Sequence, residues 1–293
     1  MKAKRQELAE AMYHTIQNKF TDLPDDAIVY PAHGAGSLCG KSMSEANSST
    51  LGNERMGNWA FKQQGQEQFI DALLDNQSFI PSYFGFNVDV NKIGAENLRP
   101  GIAEVPFKMY AAAKGLIVDV REEAQFKNGH LMGSINIQAT SEESKFETWL
   151  GAIIEPGEKF SLVINAPEDL ETVLHRVAKI GYEKQLQSIL TLSGDNLVQM
   201  KPLDVQDLKK NPGNYTIIDV RNKSEVAEGR FFGNAQSHPL NTLRDTSDEI
   251  PTDRPIVVHC AGGYRSAAGS SILAKQLNPV TVYDLGEAVK EFE

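Results

Sequence analysis

"GLIVDVREEAQFKNGHLMGSINI" (residues 115–137) and "YTIIDVRNKSEVAEGRFFGNAQSHPL" (residues 215–240) are two versions of one pattern. The Asp-Val-Arg triplets stand at 119–121 and 219–221, one hundred residues apart. Each triplet follows β-branched residues, Ile117-Val118 and Ile217-Ile218, as a buried strand would. Each is followed by a polar helical stretch, a glycine and a second short apolar run. A period this long does not fit a solenoid and reads as two copies of one domain.

The copies stay in step further along. "KFSLVINAPEDLETVLHRVAKIGY" (159–182) and "RPIVVHCAGGYRSAAGSSILAKQL" (254–277) both predict strand, loop and amphipathic helix. In the first helix Leu170, Val173, Leu174, Val177 and Ile180 share a face. Alternating strands and helices predict an α/β fold with a mainly parallel sheet in each copy. Ligands of such sheets sit beyond the carboxyl ends of strands, and Cys260 lies at one of these ends. "NVDVNKIGAENLRPG" (87–101) reads as the linker into the first copy and "TLSGDN" (191–196) as the seam between copies. The expected organisation is 1–95, 96–193 and 194–293.

The bulk numbers narrow the class of function. The chain has 293 residues, 41% hydrophobic and 23% charged, an ordinary globular balance. Its net charge of −10 argues against nucleic acid, which needs a basic face. Two cysteines, Cys39 and Cys260, stand far apart with no Cys-x-x-Cys pair. A disulfide framework is therefore not expected, and a reducing cytoplasm is. The first twenty residues lack the apolar core of a secretory signal. No apolar run reaches the roughly 18–20 residues needed to cross a bilayer, so no membrane partner is expected.

In "HCAGGYRSAAGSS" (259–271) a strand feeds Cys260, and a helix leaves a loop containing Gly262, Gly263 and Arg265. That arrangement aims backbone N–H groups and the positive end of a helix at one point, which suits a thiolate, a persulfide or an anionic sulfur donor. Arg265 and Ser266 are candidate further donors, with Ala261 and Tyr264 in the same loop. Free cysteine is among the most buried residue types, so an isolated cysteine at a strand end reads first as core. The joint occurrence of the thiol, two glycines, an arginine and a hydroxyl favours chemistry. The histidines are weaker signals: His14 and His175 fall on helices and His238 in a loop. His259 adjoins Cys260, but neighbouring strand side chains face opposite ways, which makes it a poor general base.

These residues resemble the rhodanese family of sulfurtransferases. "CAGGYRS" with "IIDVR" and "EGRFFGNA" upstream parallels its Asp-Val-Arg, Gly-His-Ile-x-Gly-Ala and Cys-Arg-x-Gly-x-Arg-Ser/Thr segments. The resemblance implies that Cys260 carries sulfur, that residues 261–266 bind substrate, and that Asp219 and Arg221 are structural supports. Two departures stand out: Ala261 replaces an arginine, and Arg230 replaces a histidine. The first removes a positive charge from the mouth of the loop and bears on thiosulfate as donor. Related phosphatases carry Cys-x5-Arg; the spacing here is Cys-x4-Arg, which favours sulfane sulfur. A phosphatase or arsenate reductase, or a non-catalytic binding module, are the alternatives. Laid on the same pattern, the first copy puts Ala166 where Cys260 stands, with Glu168 and Asp169 to repel anions, and is read as a structural or docking domain.

"LPDDAIVYPAHGAGSLCGKSMSEANSSTLGNERMGNWAF" (23–61) resembles the C-terminal end of a metallo-β-lactamase fold. The order of segments is similar to persulfide dioxygenase–rhodanese fusion proteins, in which a metal domain precedes an inactive and an active rhodanese domain. His33 matches that pattern's last histidine, but His-x-His-x-Asp-His is absent from the 293 residues. One histidine does not make a metal site. The expectation is therefore the C-terminal portion of a longer protein with no cofactor of its own, iron or zinc belonging to a full-length parent. Cys39 reads as a bystander. A partial fold with Tyr30, Trp59 and Phe61 predicts exposed apolar surface and self-association. The resulting expectation is sulfur transfer through a Cys260 persulfide, from persulfide or thiosulfate donors to thiol, sulfite or cyanide acceptors, coupled in the parent to persulfide oxidation and thiosulfate metabolism.

Overall fold

The computed structural model describes residues 2–33, 46–62, 65–75, 77, 79–95, 97–109, 115–141, 144–192, 194 and 196–292. Cys39 lies outside these. The chain divides into two units, Met1–Phe79 and Ile80–Glu293.

The first unit holds helices α1 (Lys2–Lys19), α2 (Leu51–Gly57), α3 (Trp59–Lys62) and α4 (Gln66–Leu74). Two short antiparallel strands, β1 (Ile28–Val29) and β2 (Ser49–Thr50), complete it. The Thr50 side chain caps α2 by accepting from the Asn53 amide. Arg55 on α2 donates to the Leu23 carbonyl and pairs with Asp25, holding the chain that follows α1. Ala9, Ala60, Phe69 and Ile70 form the small core, with Trp59 tilted against Phe69. Phe61 meets Phe20 edge-on. Trp59 and Phe61 therefore pack within this unit, and only Tyr30 of the expected apolar patch is strongly exposed.

The second unit contains two parallel sheets built on one plan. The first has the order β3-β7-β6-β4-β5: β3 (Phe107–Lys108), β4 (Leu116–Asp119), β5 (Ile135–Asn136), β6 (Phe160–Val163) and β7 (Leu186–Leu190). The second has the order β11-β10-β8-β9: β8 (Thr216–Asp219), β9 (Gln236–Ser237), β10 (Ile256–His259) and β11 (Val282–Asp284). Every pairing in both is parallel. The β4 and β8 strands occupy equivalent places, as do β6 and β10. β6 is buried at all four positions, as are β8 and β10, which explains why they lack the apolar–polar alternation of a half-buried strand.

Helices α5 (Tyr83–Ile93), α6 (Leu98–Ala103), α7 (Glu123–Asn128), α8 (Phe146–Ile153) and α9 (Leu170–Ala178) accompany the first sheet; α10 (Val205–Lys210), α11 (Lys223–Glu228), α12 (Leu243–Thr246) and α13 (Tyr264–Gln276) accompany the second. Helix α5 lies before the expected boundary at 95 but packs on the first repeat. The Tyr83 ring fills the space over Gly151, where a Cβ would come within 2.1 Å of it. Phe86 meets Tyr182 at 6.0 Å, and the Ser82 hydroxyl donates to Glu155 at 2.9 Å.

Helix α13 is lined with small residues and is buried from Ser266 to Leu273. Gly269 permits close approach to the sheet, since a Cβ there would stand 3.0 Å from Val220 and 3.1 Å from Val258. The buried hydroxyls of Ser266, Ser270 and Ser271 are satisfied by donating to carbonyls three residues back. The same helix reaches the first repeat. The Tyr264 hydroxyl donates to the Gln138 carbonyl at 2.8 Å, and the Asn136 amide of edge strand β5 donates to Ser271 Oγ at 3.0 Å. Arg244 adds donors to the Ile153 carbonyl and to both carboxylate oxygens of Glu158.

Candidate active site

The Asp-Val-Arg triplets do the same work in both repeats. Asp219 ends β8, and its carboxylate accepts from the Arg221 amide, Nε and Nη2. Arg221 then donates to the Gly229 carbonyl at 2.8 Å, fixing the end of α11. Asp119, Arg121 and the Gly129 carbonyl repeat this arrangement. Asp219, Arg221 and Asp119 are buried and Arg121 half-buried, so each charge leans on its partner. Asp219 and Arg221 thus hold the loop beside β10 and do not contact Cys260 Sγ through any hydrogen bond.

Cys260 follows β10 directly and is 1% exposed. The Gly263 amide, at the N-terminus of α13, donates to its sulfur at 3.2 Å. Gly263 has φ +100°, a conformation that side chains other than glycine rarely adopt, and this turns its N–H back onto the thiol. The Ser266 hydroxyl donates to the Gly263 carbonyl at 2.8 Å, so it braces the loop from behind. Ala261 and Gly262 are exposed and form the outer lip. Tyr264 turns away to the first repeat, and burial raises its hydroxyl pKa, keeping it a neutral donor.

Arg265 departs from the expected role of anion donor. Its two terminal nitrogens donate to Glu225 at 2.6 and 2.8 Å. Burial opposes ionisation of Glu225, but Arg265 outweighs it and holds the carboxyl below the usual range. Glu225 was not among the expected site residues. Its signal was present as "NKSE" (222–225), in which Glu225 caps α11 by accepting from the Asn222 amide.

The sheet register corrects the equivalence between repeats. Val163 pairs with Asp119 as His259 pairs with Asp219. The next residues, Ile164 and Cys260, therefore correspond, and both are buried. Ala166, the expected counterpart, lies two residues further on at the start of the 3-10 turn Pro167–Asp169. The first repeat reaches its helix by a longer route, so counting from the helix misplaces the strand end. The conclusion that this position holds no thiol is unchanged.

His259 lies beside Phe231 and Phe232. It is fully buried, with Asp219 Oδ2 3.8 Å from its Nε2. Burial lowers its pKa, against a smaller opposing effect from Asp219. His33, in the first unit, is exposed. Among the described residues no three His, Cys, Asp or Glu side chains converge as metal ligands, so they do not fit an iron or zinc ion. No helix among them is long and apolar enough to cross a membrane.

A parallel α/β repeat with a cysteine at a strand end and a backbone amide turned onto its sulfur is an arrangement that suits a thiolate. The rhodanese-like domain model matches residues 107–199 and 204–291, and the chain belongs to that family. A Bacillus subtilis relative named uncharacterized protein YqhL is 29% identical over 93 residues, 32% of this chain and 72% of the relative. A sulfurtransferase of Allochromatium vinosum is 32% identical over 60 residues, 20% of this chain and 55% of that protein. A solved metallo-beta-lactamase from Staphylococcus aureus subsp. aureus COL is 29% identical with a TM-score of 0.50; the likeness covers 63% of this chain and 50% of that one. This chain thus spans about half the length of the Allochromatium and Staphylococcus proteins.

Proposed function

We propose that the second repeat transfers sulfane sulfur through a persulfide on Cys260. The observation that carries the reading is the Gly263 amide, 3.2 Å from the sulfur at the N-terminus of a thirteen-residue helix. That group stabilises negative charge on the thiolate and on the persulfide that succeeds it. In the first half-reaction the Cys260 thiolate attacks the outer sulfur of a donor such as thiosulfate or a low-molecular-weight persulfide. The donor's S–S bond breaks, the Cys260 S–S bond forms, and sulfite or a thiolate leaves with the electron pair. In the second, a thiol, sulfite or cyanide attacks the outer sulfur and releases the Cys260 thiolate. Two half-reactions through a covalent intermediate give ping-pong kinetics. The first repeat, with Ile164 in the equivalent place, takes no covalent part. An association with persulfide oxidation, implied by the order of segments in the sequence, would belong to a longer parent, and no step of it is assigned to these residues.

Incubation with a persulfide followed by intact-mass measurement tests the reading. A gain of about 32 Da, one sulfur atom, that disappears in Cys260→Ser is expected. No gain with partner binding retained would favour a non-catalytic module. Turnover of an aryl phosphate would favour a Cys-x4-Arg phosphatase.

A further inference from the structure

The cysteine-less repeat comes close to the Cys260 loop through α7. Glu123 lies over Gly263: a Cβ on that glycine would stand 3.2 Å from Glu123 Oε2. The same carboxylate borders Gly286, where a Cβ would meet Oε1 at 3.3 Å. Lys127, one turn on, donates to Glu123 at 3.2 Å and pairs with Asp284 at the end of β11 at 2.8 Å. The Asp284 side chain is 1% exposed, and its other oxygen accepts from the Gly286 amide at 3.0 Å. Glu123 is thus held in place against the residue whose amide contacts the Cys260 sulfur.

The charges around the loop can be counted. Arg265 is matched by Glu225, and Arg221 by Asp219. Lys127 is matched by Asp284, which leaves the Glu123 carboxylate in excess. Ala261 supplies no charge at the lip. We propose that Glu123 of the first repeat is a specificity-determining residue of the second repeat's site, selecting sulfur donors by charge and disfavouring the thiosulfate dianion against a donor bearing an ammonium group. This rests on the sulfur-transfer reading. Lys127 is a positioning residue that acts through Glu123.

The test compares kcat/KM for thiosulfate and for cysteamine persulfide, whose ammonium group makes it the cationic probe. In Glu123→Gln the thiosulfate value is expected to rise about tenfold while the cysteamine persulfide value falls or holds, with the variant and the unaltered protein both still carrying sulfur on Cys260. In the unaltered protein, the thiosulfate value is expected to rise with added salt, because salt screens the repulsion. An unchanged ratio of the two donors in Glu123→Gln, or a thiosulfate rate that falls with salt, would overturn the proposal while sulfur on Cys260 kept the transfer reading intact. Failure of the unaltered protein to take sulfur from either donor would overturn both.

Discussion

Arg265 and Glu225 form a two-pronged ion pair, with both terminal guanidinium nitrogens on both carboxylate oxygens. It links the first turn of α13 to the first turn of α11, so the loop's arginine braces the fold around Cys260. A double-mutant cycle with Arg265→Met and Glu225→Gln, followed by urea unfolding, is expected to give a coupling of about 1–2 kcal/mol. If Arg265 instead served the substrate alone, the coupling would be near zero and the loss would fall on kcat/KM.

The clamp from Asp219 through Arg221 to the Gly229 carbonyl predicts a larger effect. Asp219→Ala leaves a buried guanidinium without its partner and is expected to cost about 3–5 kcal/mol, read as a lower urea midpoint at an unchanged slope. Asp119→Ala should act alike in the first repeat, since the geometry is the same.

Helix α5 provides a test of where the second unit begins. A chain starting at Ile80 keeps the Tyr83 and Phe86 packing, whereas one starting at residue 96 loses it. The longer form is expected to melt several degrees higher. Gly151→Ala should lower stability only in the form that retains Tyr83, because its Cβ would collide with that ring.

Protonation of buried histidine sets the behaviour in mild acid. The pKa of His259 is lowered in the folded protein, so below the ordinary value near 6.5 the unfolded chain binds a proton that the fold refuses. Stability is therefore full above that value and falls as pH drops through it. The loss is expected as a falling urea midpoint between about pH 7.5 and 5.5. His259→Phe, in a pocket already lined by Phe231 and Phe232, should make that part of the profile shallower, leaving the share of His130 and His238, whose pKa values burial also lowers. Glu225 and Glu158 act in a separate window: their lowered pKa values give stability that is lost only below the usual carboxylate range near 4.5.

Local pattern carried much of this molecule. The β-branched runs before each Asp-Val-Arg are β4 and β8, and the loop from Cys260 to Ser266 joins β10 to α13 as its glycines suggest. What escaped the sequence depends on contacts between distant segments. Glu225 meets Arg265 across forty residues, and Glu123 meets Gly263 across a larger gap. Neither spacing has a period to reveal it. Ile164 was missed because the first repeat inserts residues between strand and helix, a change that hydrogen-bonding register exposes and linear alignment hides. Helix α5 escaped for another reason: its apolar residues fit a linker helix or a docked one equally well until Tyr83 is seen over Gly151.

The hydrogen bond from the Asn136 amide to Ser271 gives the two repeats a shared fate. Strand β5 is the outer strand of the first sheet, and an uncovered outer strand invites pairing with other chains. Here the helix that begins behind Cys260 closes that edge. The cysteine-bearing repeat is consequently not a portable cassette. Cutting the chain between the repeats would bare a sheet edge on one fragment and strip a buried helix face on the other, so the cysteine-less copy is the other copy's counterpart in folding as well as its neighbour in sequence.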